Sequence, residues 1–313
     1  MKDFMIDILI CPVCLPLEKQ LRCEIMEKED NDVLQGQLIC KQCGTRFPVE
    51  EGTAILLPDR NRKEKQSPSK YETVSVVSSY LWSHYADLWG DEDASTAYRD
   101  WADLFQNHSG YFLDAGCAVG RFTFEMSQKC DLAIGIDNSL MFIHTARNLM
   151  HHGRMDISIP EEGSLTVQKT ITPHKPWQRD RTEFLVADVQ AVPFPSGFFS
   201  SLSSLNIVDK VPLPLKHLRE MNRVARVKGG RFLISDPFSW STEVAEEKNW
   251  LGGMNHGPYA GRGLDNIASL LEGDKGDLPS RWKIEKKGDV WWKIRTHRNH
   301  FELIRSGYIK ANR

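Results

Sequence analysis

Tyr111-Phe112-Leu113-Asp114-Ala115-Gly116-Cys117-Ala118-Val119-Gly120 reads as an apolar strand that runs into a glycine-rich turn and opens a helix at Arg121-Phe122-Thr123-Phe124. In the Asp114-x-Gly116-x-x-x-Gly120 spacing, Gly116 is free to turn at positive φ and bring backbone close to a ligand, and Gly120 removes a Cβ where the next helix crosses the strand. The further glycine of the dinucleotide fingerprint G-x-G-x-x-G is missing. Asp114 stands instead where a nucleoside bearing an amino acid would place its ammonium.

Downstream the same alternation recurs. Leu132 to Ile136 predicts a second strand ended by Asp137, where a carboxylate accepts both hydroxyls of a ribose. Asn138 or Ser139 is then left to cap the following helix. A third strand, Phe184 to Ala187, ends in Asp188-Val189, and a fourth, Phe198 to Leu205, ends at Asn206-Ile207-Val208-Asp209-Lys210. A helix over Leu215 to Val227 and a turn at Gly229-Gly230 lead to a fifth strand, Arg231 to Ser235. Val290 to Arg295 and Ser306 to Ala311 are expected as an antiparallel hairpin closing the sheet. Asp114, Gly116, Gly120, Asp137, Asp188 and Asn206 therefore fall in order at the carboxyl ends of successive strands, where open α/β sheets bind ligands.

This arrangement closely resembles the class I S-adenosylmethionine (SAM) methyltransferases. The resemblance implies an α/β, Rossmann-like domain with a mostly parallel seven-stranded sheet over residues 76–313. It implies SAM contacts at Asp114, Gly116, Cys117, Gly120, Asp137, Asn138, Asp188, Val189 and Asn206, with Asp188 accepting the adenine amine. The aromatic stretch Tyr80 to Trp89, with Tyr98, Trp101 and Phe105, has helical spacing and reads as packing helices; the resemblance makes them a lid over cofactor and substrate.

Cys11-Pro-Val-Cys14 and Cys40-Lys-Gln-Cys43 form two C-x-x-C turns 25 residues apart, each presenting two thiolates to one side. Together they make a closed tetrahedral set of soft ligands suited to structural Zn²⁺, with no open position for water. With the flanking Ile8-Leu9-Ile10, Leu38-Ile39 and Arg46-Phe47-Pro48-Val49, residues 1–60 resemble the small zinc-ribbon activator that pairs with several tRNA, rRNA and translation-factor methyltransferases. Thr53-Ala54 replaces that family's Ile-Pro. The resemblance implies that the ribbon docks on the chain's own methyltransferase domain. Charge, serine and proline over 61–75, including Lys63, Lys65 and Lys70, read as a linker.

The net charge of −2 disfavours a constitutive nucleic-acid binder, and no apolar run approaches the ~20 residues a bilayer requires. A cytoplasmic protein with no membrane partner is the expectation. An insertion of about thirty residues, 153–182, exceeds the ~15 usual for a loop and points to function or mobility.

Asp236-Pro-Phe-Ser-Trp240, Trp250-Leu-Gly-Gly253, the Asn206 to Pro212 stretch and Arg295-Thr-His297-Arg298 resemble the methyltransferase domain of ovothiol biosynthesis, which methylates an imidazole nitrogen of 5-mercaptohistidine. That resemblance implies a small histidine-derived acceptor, with Trp240, Trp250 and Arg295 in the substrate pocket. Asn206, Asp209 and His297 are the catalytic candidates, Asp209 and His297 as groups able to take or anchor a proton. Two readings compete with it: methylation of tRNA, rRNA or a translation factor with the ribbon as docking module, and a noncatalytic SAM-binding scaffold.

Overall fold

The computed structural model describes residues 1–58 and 71–313, so most of the expected 61–75 linker, with its three lysines, lies outside the described residues. Four strands come first: β1 (Leu21–Glu29), β2 (Asp32–Cys40), β3 (Arg46–Glu50) and β4 (Thr53–Leu56). Helices α1 (Val74–Tyr85) and α2 (Ala97–Ala102) precede the glycine-rich turn. The βα alternation then runs through β5 (Tyr111–Ala115), α3 (Arg121–Ser127), β6 (Leu132–Asp137) and α4 (Leu140–His152). The hairpin β7 (Met155–Glu162) and β8 (Leu165–Ile171) interrupts it before β9 (Thr182–Ala187), β10 (Ser201–Leu205), α5 (Pro214–Val224) and β11 (Arg231–Asp236). Helix α6 (Gly263–Glu272) leads to the long hairpin β12 (Lys283–His297) and β13 (His300–Asn312).

Local chemistry sets the boundaries. Thr73 Oγ1 accepts the Val76 N–H at the start of α1, and Ser139 Oγ accepts the Phe142 N–H, 3.1 Å away, at the start of α4. Pro214 opens α5, where its missing N–H costs nothing. Gly153 and Gly273 end α4 and α6 in the left-handed conformation. The fourth strand starts at Ser201, later than expected, because Phe198 and Phe199 turn into an aromatic cluster with Phe194. The expected helix at 215–227 stops at Val224, and Ala225 turns to extended backbone.

The main sheet has the order β1-β2-β3-β4-β9-β6-β5-β10-β11-β13-β12. Its last seven strands are the expected mostly parallel sheet, with β13 antiparallel to β11 and β12. The count departs from seven because β4 of the ribbon pairs in parallel with β9 through Ile55↔Val186 and Leu56↔Ala187, which continues one sheet to eleven strands. β9 is buried along its whole length, and without β4 it would be an open apolar edge.

Polar groups fasten the same junction. The fully buried Glu183 of β9 pairs with Arg147 of α4 and accepts the Lys2 backbone N–H at 2.6 Å, while Arg147 also reaches Asp32 of β2 at 3.4 Å. Glu18, between the cysteine turns, accepts from the Ser196 backbone N–H (2.7 Å) and pairs with Arg223 (3.3 Å). Such buried pairs punish the loss of one partner more than they reward formation.

The 153–182 insertion is not a loop. Ile157 and Ile159 alternate inward on β7, Gly163 turns at φ +57°, and β8 returns to the buried Ile171. Trp177 then stacks on Phe124 of α3, ring centroids 5.5 Å apart and planes within 11°. Its period-two apolar pattern carried the strand signal that the prolines obscured. Among the described residues no helix is long and apolar enough to cross a membrane.

Candidate active site

The carboxyl ends of β5, β6, β9 and β10 open into one cavity of about 500 Å³, roofed by α1, α2 and the β12–β13 hairpin. Its floor is the turn read first in the sequence. Gly116 sits at φ +83°, and a Cβ there would meet Ile207 Cδ1 at 2.1 Å. Gly120, at φ +87°, leaves no space for a Cβ between the Phe184 ring and Ala146.

Two buried acids face this cavity. Thr123 Oγ1 donates to Asp114 Oδ2 (2.8 Å) and Ser203 Oγ donates to Asp114 Oδ1 (2.9 Å). Asp137 accepts the Ala118 N–H at 3.0 Å and the Ser139 N–H at 2.9 Å. Burial pushes both carboxyls up to about 6 in spite of these donors. No cation is paired with either acid among the described residues. An ammonium and a ribose diol, both donors, are therefore what these two accepting carboxylates fit. Asp137 and Ser139 divide the work as their chemistry requires, one facing the cavity and the other capping α4.

Cys117, Asn138, Asp188 and Val189 also line the cavity, and among the described residues Asp188 engages only Oδ1, which accepts the Gln190 N–H at 2.8 Å. Asn206 takes φ +59° at the end of β10. Trp292 Nε1 donates to Ser306 Oγ (3.1 Å), which donates to Asn206 Oδ1 (2.6 Å), so a three-residue relay fixes its amide.

The acceptor side departs from the residues expected there. Trp240, Trp250, Arg295, His297 and Asp209 are not among the cavity's lining residues. Trp240 stacks with Trp250, 6.2 Å between centroids, and rests on Gly253, so the two motifs brace each other behind the wall. Arg295 turns to Glu161 of the insertion, and His297 is exposed beside His300. The reason is the strand period: Trp292, Ile294 and Thr296 face the cavity, so the odd-numbered Arg295 and His297 face away. Asp209 is buried under the rim, where its Oδ2 accepts the Ser239 N–H (2.6 Å) and pairs with Lys210 (3.1 Å). Burial raises its carboxyl, and burial beside Asp209 raises that of Asp236 still further, so the two organise the 206–212 and 236–239 loops rather than the acceptor.

The cavity is also lined by Tyr71, Tyr80, His84, Tyr98, Trp292, Thr296 and Glu302. Most were legible only as packing aromatics, since helical spacing does not say which face meets a ligand. Arg121 fixes this lid. Its guanidinium pairs with Asp87 (2.6 Å) and Glu125 (2.8 Å), donates to the His84 carbonyl (2.5 Å), and lies 5.1 Å from the Trp177 ring centroid.

In the ribbon, the Sγ atoms of Cys11, Cys14, Cys40 and Cys43 lie within 4.8 Å of one another, with Cys11–Cys43 and Cys14–Cys40 both 3.7 Å. A tetrahedron with Zn–S bonds of ~2.3 Å has edges of about 3.8 Å, so the four thiols fit structural zinc.

Comparison with known proteins agrees with this division. Residues 113–234 match the family described as Methyltransferase domain, and residues 2–52 match the family described as Trm112p-like protein. Among solved structures, a SAM-dependent methyltransferase of Methanosarcina mazei is 17% identical, with TM-score 0.45, over 67% of this chain and 95% of that one. The complex of the Haloferax volcanii Trm112 methyltransferase activator with a putative methyltransferase gives 13% identity and TM-score 0.39 over 72% and 81%. A putative methyltransferase of Bacillus halodurans gives 11% and 0.43 over 71% and 99%. The two family matches and the site geometry, not these distant likenesses, carry the assignment.

Proposed function

We propose that this chain, a SAM-dependent methyltransferase with a zinc ribbon built into its sheet, methylates a small acceptor at an imidazole-type nitrogen or a thiol of a histidine-derived compound. The observation that supports this most is the cavity lining outside the strand-end acids and the glycine-rich turn, which includes Tyr71, Tyr80, His84, Tyr98 and Trp292 with polar atoms at Thr296 and Glu302. Flat aromatic walls with few polar groups suit a planar ring of modest size. SAM supplies an electrophilic methyl on a sulfonium centre. Asp137 holds the ribose hydroxyls, Asp114 attracts the ammonium, Asp188 and Val189 take the adenine, and Asn206 is held by its relay at the junction of cofactor and acceptor. The lid aromatics orient the acceptor for in-line attack and exclude water.

A second reading is favoured by one observation. Residues 281–313 carry ten Lys and Arg against three Asp and Glu, although the chain as a whole is slightly acidic, and this basic hairpin forms one rim of the cavity. A nucleic acid or protein acceptor docked there, with help from the Trm112p-like ribbon, is the alternative. Transfer of labelled methyl from SAM into a cell extract separated into small-molecule and macromolecular fractions tests both. Label in the small-molecule fraction supports the first, and label confined to RNA or protein replaces it with the second.

A further inference from the structure

Helix α1 forms part of the cavity roof, and its two ends are fastened differently. At the carboxyl end the His84 carbonyl accepts from the Arg121 guanidinium, which also pairs with Asp87 and Glu125 and is 1% exposed. Parting those groups would strand a buried charge. At the amino end, Tyr71-Glu72-Thr73 leads into α1, and Glu72 is the fastener. Its Oε1 accepts the Leu140 N–H at 2.9 Å and its Oε2 accepts the Met141 N–H at 3.3 Å, both at the start of α4. Ser139 Oγ donates to the Tyr71 carbonyl at 3.3 Å while it caps Phe142. Glu72 is only half-buried, so on separation its carboxylate and both N–H groups turn to water, a far cheaper exchange than opening the Arg121 end.

This fastening holds Tyr71 in place. The Tyr71 ring lies 6.1 Å from that of Tyr80, edge to face, and 5.8 Å from that of Phe142. It lines the cavity together with Val76, Ser79 and Tyr80 of α1. The charge of Asp137 acts on the Tyr71 hydroxyl, so Tyr71 stands near the acid assigned to the ribose. Asp137 ends β6 and α4 begins shortly after it, so Glu72 joins the floor of the cavity to its roof at that end.

We propose that Glu72 is the latch of the cofactor cavity: it holds the start of α1 down on α4, and SAM and S-adenosylhomocysteine come and go when that end lifts about the Arg121 end as pivot. The inference rests on the SAM placement given above and holds whichever acceptor is methylated. Glu72 touches no reacting atom, so it is a positioning residue. All of the latch's partners are protein groups, so it acts with and without cofactor. Weakening it raises the open fraction of both forms alike. Entry and exit then quicken together, and their ratio, Kd, stays where it was. A side chain that bound the cofactor directly would instead change the exit rate and leave entry nearly alone.

The test follows S-adenosylhomocysteine binding to the full zinc-loaded chain as wild type, Glu72→Gln and Glu72→Ala, by stopped-flow tryptophan fluorescence and calorimetry. In Glu72→Ala both the association and the dissociation rate should rise about tenfold, the loss of roughly one charge-assisted hydrogen bond, with Kd within about threefold of wild type. Glu72→Gln, which keeps one accepting oxygen, should fall between. Hydrogen exchange at the Leu140 and Met141 amides should quicken in Glu72→Ala while the amides around Arg121 keep their protection. Rates equal to wild type overturn the proposal even where Tm falls, since a mere cap of α4 would cost stability alone. Faster dissociation with unchanged association, and Kd raised in proportion, overturns it too and makes Glu72 a cofactor contact. If Glu72→Ala does not fold, Glu72→Gln decides by the same two rates. Wild type that binds no S-adenosylhomocysteine removes the SAM placement and the latch together, whereas failure of the latch alone leaves that placement and the acceptor reading standing.

Discussion

Asp137 shows how much one side chain carries. Its two oxygens take backbone N–H groups from the glycine-rich turn and from the start of α4, so it ties β5 to β6 before any ligand arrives. Asp137→Ala should cost about 3 kcal/mol of SAM binding, on the order of a hundredfold in Kd, with circular dichroism unchanged. Unchanged affinity in calorimetry would remove the ribose role. The raised carboxyls of Asp114 and Asp137 carry a pH signature. Because both hold a proton up to about pH 6 in the free protein, and an ammonium and a diol favour the ionised form, SAM binding near pH 6 should release protons. For the unliganded fold the sign is opposite to that of a salt-bridged acid. Folding favours the protonated form, so these two groups add stability below about pH 4, and that contribution is lost as pH rises through 6. Calorimetry in buffers of different ionisation heat counts the protons; no release between pH 5 and 7 would contradict the assignment. These acids were readable in the sequence because strand ends announce themselves. Asp209 sits at such an end too, yet the neighbouring Asp236 and Lys210 claim it, and only the fold brings those together.

At the scale of the element, the hairpin β12–β13 teaches the clearest lesson. The sequence showed that strands lie there but not which residues face in, because Arg295 and His297 have chemistry that draws the eye and the inward set is Trp292, Ile294 and Thr296. Strand alternation was available as an argument, but the phase needs a partner strand or a covering helix to fix it. The insertion was misread for a related reason: β7 and β8 are short, half-exposed strands whose inward face is closed by α1, far away in sequence. The phase gives an adjacent-residue test. Ile304→Trp, on the cavity face, should abolish methyl transfer, while Leu303→Trp, exposed on the other face, should leave it within twofold. Equal effects would mean the cavity is not where transfer happens. Ser139→Ala should lower stability by about 1 kcal/mol through loss of the α4 cap, measured by urea unfolding.

For the whole molecule, the continuous sheet makes ribbon and catalytic body one structural unit. Zinc enters this arrangement from outside the active site, yet Ile55 and Leu56 lie directly beside Val186 and Ala187, the last strand residues before Asp188. Cys40→Ser, or chelation of the metal, should therefore lower the Tm of the entire chain by roughly 10 °C or more in a single transition, and weaken SAM binding with it. Two separate transitions, with the second at the wild-type temperature, would show that the units are merely tethered. The zinc ligands themselves were fully legible, because C-x-x-C spacing is local; the β4–β9 pairing was not, since parallel pairing leaves no local mark. That pairing also sets an order of events on the ribosome. β4 is translated well before β9, and at ~5–20 residues per second its unmatched edge waits roughly 6 to 25 seconds for Thr182 to Ala187 to emerge. During that interval the nascent ribbon offers an apolar strand to any passing chain, so metal supply and chaperone cover should govern the yield of this protein more than its final stability does.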